Sequence, residues 1–225
     1  AEAVALAREA AGLEGIEYRG VMFYAGHIRS HVREQGAPLA ALSARVAALV
    51  EALAAAGVPP EVVSGGSTPT FWRSHEVAGV TEVRPGTNVF NDRTTAEIGA
   101  CSWDEVAYSV LATVVSTAVP GQAVIDAGSK VLAKEELRAE GGGYGALLDR
   151  PDVAVKAVSE EHGLLDLAGT DWRPRVGDRV RIVPNHVCVS VNLSERLWGV
   201  RGDRVVDAWE VAGRGRAPLA PAAGG

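Results

Sequence analysis

The sequence predicts an incomplete parallel β/α barrel followed by a mainly antiparallel β domain. Three observations carry that expectation. A strand–helix–strand rhythm runs up to Asp92. It ends in two loops rich in Gly and Thr, Ser64-Gly65-Gly66-Ser67-Thr68-Pro69-Thr70 and Pro85-Gly86-Thr87. Beyond Asp92 the texture changes to short β-branched runs separated by Gly, Pro and Asp turns, the signature of antiparallel strands. The division is expected between Asp92 and Trp103, giving a barrel portion over 1–95, a β domain over 96–216 and a flexible tail over 217–225.

The elements follow in chain order. Ala1 to Ala11 is rich in Ala, Glu and Arg and reads as a helix ending near Gly12. Arg19 to Tyr24 is a short apolar run bounded by Gly, which marks a buried strand. The longest helix opens near Pro38 and stops at Gly57, with Pro59-Pro60 forbidding continuation. Leu39, Leu42, Val46, Leu49 and Leu53 recur on one face of it and define its buried stripe. Strands Glu61-Val62-Val63 and Val80 to Arg84 each run into one of the two glycine loops. In the second part, strands are expected within Glu105 to Ser116, Val124 to Gly128, Val153 to Val158, Arg179 to Val183 and Val205 to Trp209.

Composition bounds the function. The 225 residues are 47% hydrophobic, enough for two cores. A net charge of −6 with no basic block argues against nucleic acid as a partner. The most apolar stretch, Leu39 to Ala56, carries Arg45 and Glu51 and reads as amphipathic rather than as a membrane span. Two cysteines outside any disulfide framework fit a reducing compartment, so a cytoplasmic protein is expected. The chain opens on Ala1 in mid-helix, and its one methionine is Met22, inside a strand. The natural protein is therefore expected to have more chain upstream.

Three groups of residues suggest chemistry. Glycines in the two loops let backbone N–H groups approach phosphate oxygens, and Ser67, Thr68 and Thr87 add hydroxyl donors. Plain turns favour the same residues. A polar turn after the first strand holds His27 and His31, which are either acid/base candidates or solvated loop histidines. From His186 to Leu193 polar and apolar residues alternate, which reads as a strand. On that reading His186 and Cys188 share a face. They are either a nitrogen–sulfur metal pair with open positions or a buried cysteine beside a hydrogen-bonded histidine. Cys101 has no partner at ligand spacing and reads as structural, and His75 has no assigned role.

Five motifs in this order resemble the D-threonine aldolase/D-serine dehydratase family, pyridoxal-phosphate enzymes of the alanine-racemase fold type. They are Ser64 to Thr70, Glu82 to Thr87, Asp126-Ala127-Gly128-Ser129-Lys130, Ser159-Glu160-Glu161-His162-Gly163 and Pro184-Asn185-His186-Val187-Cys188. The likeness runs from about Tyr18 to Arg216. It implies that Gly65, Gly66, Ser67, Thr68, Gly86 and Thr87 hold the phosphate of pyridoxal 5'-phosphate and that Tyr24 lies against that cofactor. It implies a divalent metal on His186 and Cys188, zinc by donor chemistry with manganese as the other choice. His27 or His31 would do the acid/base work, and Glu160, Glu161 and His162 would hold the β domain to the barrel.

The implied reaction is carried out on a small D-β-hydroxy amino acid, in a homodimer. A thiol beside the metal histidine resembles the dehydratase branch, giving an oxo acid and ammonia. A carboxylate there would resemble the D-threonine aldolase branch, giving glycine and an aldehyde. Two features depart from the family pattern. Asn88 stands where a tyrosine is expected. The only lysines, Lys130, Lys134 and Lys156, lie in the second part, so the Schiff-base lysine is expected upstream of residue 1. An inactive fragment lacking that lysine is the remaining alternative.

Overall fold

Residues 1–137 and 142–214 are described in a computed structural model of the protein. The expected tail over 217–225 lies outside them. The chain divides into two units, 1–91 with 95–105 and 92–94 with 106–225.

The first unit is built on a three-stranded parallel sheet. Helix α1 (Glu2–Gly12) leads to strand β1 (Gly20–Met22), and helix α2 (Gly36–Ala55) crosses over to β2 (Val62–Gly65). A 3-10 segment, Thr68–Glu76, then leads to β3 (Glu82–Val83). Strand order is β1-β2-β3, with Gly20 opposite Val62 and Gly65 opposite Val83. Helix α2 buries Leu39, Val46 and Leu53, with Leu42 packed at the margin, as the periodicity requires. It ends where Gly57 takes a positive φ of 79°, its N–H donating to the Ala54 carbonyl. Leu39 and Val46 meet Ala25, Ile28, Val63 and Val77 in one core. By length and composition α2 is also the one helix among the described residues that could cross a membrane. The buried stripe on that sheet, with Arg45 and Glu51 exposed, favours a core helix.

Helix α3 (Arg93–Glu97) follows the division point. The second unit contains a six-stranded antiparallel sheet in the order β6-β9-β4-β5-β8-β7. Its strands are β4 (Val110–Ser116), β5 (Gln122–Ile125), β6 (Gly145–Leu147), β7 (Val155–Val158), β8 (Gly163–Asp166) and β9 (Arg179–Pro184). A bridge between Ala146 and Ala154 nearly closes the sheet on itself. One face of each strand fills the interior. Ala112 and Val114, Ala123 and Ile125, and Gly163 and Leu165 point inward at alternate positions. Val153, Val155 and Ile182 complete that core without exposure. Helix α4 (Ser129–Leu132) follows β5 and helix α5 (Val187–Leu193) follows β9. A hairpin of β10 (Arg196–Arg201) and β11 (Arg204–Glu210) closes the described chain, turning at Gly202 (φ 58°).

The expected strand from His186 to Leu193 is instead a helix. Val187 and Ser190 face inward, a spacing of three rather than two. Ser190 Oγ donates to the Val131 carbonyl at 2.5 Å and lies 3.0 Å from the Tyr108 hydroxyl. A buried hydroxyl with two partners is stable there, and tertiary context overrides the β-propensity of three valines.

Two of the sequence motifs interlock within the second unit. Ser129 and Lys130 N–H donate to the Ser159 and Glu160 carbonyls at 2.8 and 3.1 Å. Lys130 is ion-paired to Glu161, which raises the ammonium pKa through that hydrogen bond first and the charge second. A Cβ on Gly128 would sit 2.4 Å from the Ser159 carbonyl oxygen and 2.5 Å from that of Glu160. Gly128→Ala is therefore expected to cost about 2 kcal/mol of unfolding free energy by overpacking. Urea denaturation followed by far-UV circular dichroism reads it, and an unchanged midpoint would refute the close packing of these motifs.

Candidate functional site

The two glycine loops lie at the carboxyl ends of the parallel strands β2 and β3, where open and closed α/β sheets place ligands. After Gly65 the chain turns at Gly66, whose φ of 89° suits glycine. A Cβ at Gly66 would also meet Ser74 Oγ at 2.8 Å. Ser67 caps the 3-10 segment, its N–H donating to Thr70 Oγ1 at 3.3 Å. Gly65 lacks a Cβ for another reason. The Phe23 ring lies over it, 2.1 Å from where that carbon would be.

The loops are stitched together. Asn88 N–H donates to Thr68 Oγ1 at 3.3 Å, and Thr68 is buried. Because that hydroxyl accepts from Asn88, its own proton remains for another acceptor. The Asn88 side-chain oxygen is buried without a hydrogen-bond partner. At Gly86 nothing lies within 4 Å of an added Cβ, so its backbone faces open space. A hydroxyl donor and an open glycine at one junction suit a phosphate-sized anion, whereas the Asn88 oxygen, an acceptor, does not add to them.

Tyr24 is 65% exposed, its ring resting on Gly26, where a Cβ would come within 2.4 Å of Cε1. The turn is held by Ile28 N–H to the Ala25 carbonyl at 3.0 Å and Arg29 Nε to that of Gly26 at 2.6 Å. His27 is exposed on this turn. His31 is engaged otherwise: it caps the short 3-10 turn Val32–Glu34, its Nδ1 accepting the Arg33 N–H at 3.2 Å. Its Nε2 faces Gly99, 2.7 Å from an added Cβ. Gln35, fully buried, ties this segment to the phosphate-type loop through bonds to the Ser30 and Pro69 carbonyls at 3.0 and 2.9 Å. The sequence reading did not single out Gln35. A polar residue just before a helix with an apolar stripe was the available signal.

His186 and Cys188 lie at the start of α5. His186 is its N-cap residue with extended backbone (φ −136°, ψ 110°), and Cys188 is exposed one residue beyond Val187. On a helix, positions i and i+2 do not share a face as they do on a strand. The extended conformation of His186 leaves its side chain outside that constraint. Its ring is 38% exposed, and Nδ1 is 3.2 Å from Oδ2 of Asp92, which is fully buried. The same Oδ2 accepts the Val187 N–H at 3.1 Å. Sequence reading placed Asp92 at the unit boundary and gave it no role. Among the described residues no group of three or more His, Cys, Asp or Glu side chains could hold a metal ion. The donor set His186 and Cys188 fits only a two-ligand site that leaves positions for solvent or substrate. Cys101 Sγ lies 3.6 Å from Thr95 Oγ1 in the first unit. His75 is exposed.

Comparison with known proteins assigns both halves. Residues 1–94 match the family model described as "Alanine racemase, N-terminal domain", and residues 107–200 that described as "Putative serine dehydratase domain". The chain is 36% identical to the D-threo-3-hydroxyaspartate dehydratase of Delftia sp. over 215 residues, covering 87% of this chain and 56% of that protein. The crystal structure of D-threonine aldolase from Filomicrobium marinum superposes with a TM-score of 0.84 at 32% identity, over 96% of this chain and 58% of that one. A cysteine-to-alanine variant of a D-threo-3-hydroxyaspartate dehydratase, solved in the metal-free form, gives 0.75 at 34% identity, over 85% and 55%. The chain thus spans a little over half the length of the curated relatives it matches. With both of its units matched in order, and the fold shared with an aldolase and a dehydratase, the chain belongs to the D-threonine aldolase/D-serine dehydratase family of the alanine-racemase fold type.

Proposed function

We propose that the full-length protein is a pyridoxal-phosphate- and metal-dependent lyase acting on D-β-hydroxy amino acids, with the D-serine dehydratase outcome of oxo acid plus ammonia. The observation that carries the reading is the accessible imidazole and thiol of His186 and Cys188 in a chain 36% identical to a D-hydroxyaspartate dehydratase. A metal-free form prepared from a cysteine variant of such a dehydratase supports a metal role for the cysteine. In this reading the first unit is a portion of a β/α barrel. The working state is a cytoplasmic homodimer.

Each unit contributes its own groups. Gly65, Gly66, Ser67 and Thr68, with Gly86 and Thr87, would hold the cofactor phosphate, and Asn88 N–H would fix the Thr68 hydroxyl for that role. Tyr24, exposed beside Gly26, would lie against the cofactor ring. When bound, pyridoxal phosphate supplies an electron sink for charge released at Cα. His27 is the better proton carrier, since His31 already spends Nδ1 on its local cap. His186 and Cys188 would hold a divalent ion, zinc fitting one nitrogen and one sulfur best, with manganese second. An ion held there would supply a Lewis acid for a leaving hydroxyl, and the part of His186 and Cys188 would be to hold it with positions left open.

The second reading is retro-aldol cleavage to glycine and an aldehyde, favoured by the TM-score of 0.84 to a D-threonine aldolase. Incubating the full-length protein, loaded with cofactor and zinc, with D-serine and D-threonine separates the two. Ammonia and oxo acid are expected from D-serine. Glycine and aldehyde as the main products would transfer the assignment to the aldolase branch. Absence of both, together with no lysine on an early strand of the full-length chain, would leave a binding protein without turnover.

A further inference from the structure

The Asn185-His186 dipeptide is held by three consecutive residues from far upstream. Thr94 N–H and Thr94 Oγ1 both donate to the Asn185 carbonyl, at 3.3 and 2.6 Å. Arg93 Nη1 donates to Asn185 Oδ1 at 3.4 Å and to the Gly145 carbonyl at 3.2 Å. Asn185, only 2% exposed, gives its amide protons to the Glu135 and Gly143 carbonyls at 2.9 and 2.7 Å. Asp92 completes the strap 94 residues before His186. This tripeptide belongs with the second unit although the chain on either side of it belongs with the first.

Asp92 Oδ2 is an acceptor, because it takes the backbone N–H of Val187. The imidazole nitrogen 3.2 Å from the same oxygen must then be the one that carries a proton. A neutral imidazole has one donor and one acceptor nitrogen, so a proton fixed on Nδ1 leaves the lone pair on Nε2. Asp92 is fully buried while the His186 ring is 38% exposed. The contact therefore turns Nδ1 toward the buried carboxylate while the ring keeps part of its surface exposed. From this geometry we infer that Asp92 is a positioning residue that locks His186 in the Nδ1–H tautomer and presents Nε2 as its ligating atom. The inference rests on the metal role proposed above for His186, but the tautomer is a property of the metal-free chain. Exclusion of a buried carboxylate from solvent makes the lock durable, since water does not compete for Oδ2. Removing such an outer partner weakens metal affinity by about 10- to 100-fold in comparable sites.

The test uses the full-length protein with selective 15N labelling of histidine, the His186 signals assigned by their loss in His186→Gln. Metal-free parent protein is expected to show protonated Nδ1 and unprotonated Nε2. In Asp92→Asn, whose amide can donate to Nδ1, the tautomer is expected to invert or mix. Zinc affinity, read by competition with a chromophoric chelator, is expected to fall by about 10- to 100-fold. Thr94→Val, which trims the strap without touching the imidazole, should keep the tautomer and lose less than about threefold in affinity, well short of that range. A parent His186 protonated on Nε2, or an Asp92→Asn variant with unchanged tautomer and zinc affinity, overturns the inference. So does equal loss of zinc in Thr94→Val, which would make the strap purely structural. If His186→Gln binds zinc as tightly as the parent while the tautomer still depends on Asp92, the metal reading has failed and the positioning role of Asp92 stands.

Discussion

Full-length protein carrying His186→Ala is expected to lose turnover of its D-β-hydroxy amino acid by about a thousandfold, while still taking up pyridoxal phosphate. A Lewis acid at the leaving oxygen supplies several kcal/mol of transition-state stabilisation, and each 1.36 kcal/mol corresponds to about a factor of ten. Cys188→Ala should fall in the same range, since either loss leaves one protein ligand where two were proposed. The groups proposed for the cofactor, on Gly66, Thr68 and Gly86, belong to the first unit, and neither substitution replaces one of them. Visible absorbance of the bound cofactor and rate of product release should therefore separate cleanly. Variants that keep full activity after exhaustive chelation would end the metal proposal. Variants that lose cofactor absorbance together with activity would show damage beyond the metal ligands.

Much of the frame was legible because burial there follows local periodicity. The α2 stripe through Leu39, Val46 and Leu53 and the alternation in β4 and β5 are each fixed by which face meets a core, whereas β8, only four residues long, gave too short an alternation to be expected. The segment after Pro184 was not legible, and the reason is specific. A helix start announces itself in sequence by a nearby Ser, Thr, Asp or Asn that caps its first N–H groups. Here that acceptor is Asp92, 95 residues before Val187, and His186 offers no side-chain cap of its own. With the cap out of view, alternation of valines with polar residues read as a strand. The same distance hid Asp92 as a partner of His186, since Asp92-Arg93-Thr94 looks like boundary loop. Local spacing could not choose between His27 and His31 either. In the structure their settings differ: His31 Nδ1 accepts the Arg33 N–H, and His27 is exposed on its turn.

The parallel sheet of the first unit should be as sensitive to one methyl group as the site is to one imidazole. A Cβ at Gly20 would lie 1.8 Å from the Val62 carbonyl oxygen, and 2.7 and 2.9 Å from the Val62 carbon and nitrogen. All three atoms are backbone of the paired strand, so no side-chain rotation relieves the overlap. The strands would have to separate, straining the Val62 and Glu61 N–H bonds to the Arg19 carbonyl at 2.9 and 3.0 Å and the Phe23 N–H bond to the Ser64 carbonyl at 2.9 Å. Gly20→Ala is expected to cost about 4 kcal/mol or more, the range reserved for forced backbone displacement. Gly12→Ala is the matched control: an added Cβ there meets nothing within 4 Å, and its cost should stay within about 0.5 kcal/mol. Because the core around Val114, Ile125 and Leu165 shares no residue with that around Leu39 and Val63, urea melts of Gly20→Ala should lose an early transition and keep a late one. A Gly20→Ala melt superimposable on that of the parent would mean that β1 and β2 do not pair in the register Gly20 to Val62. The placement of both glycine loops at the ends of that sheet would then fall with it.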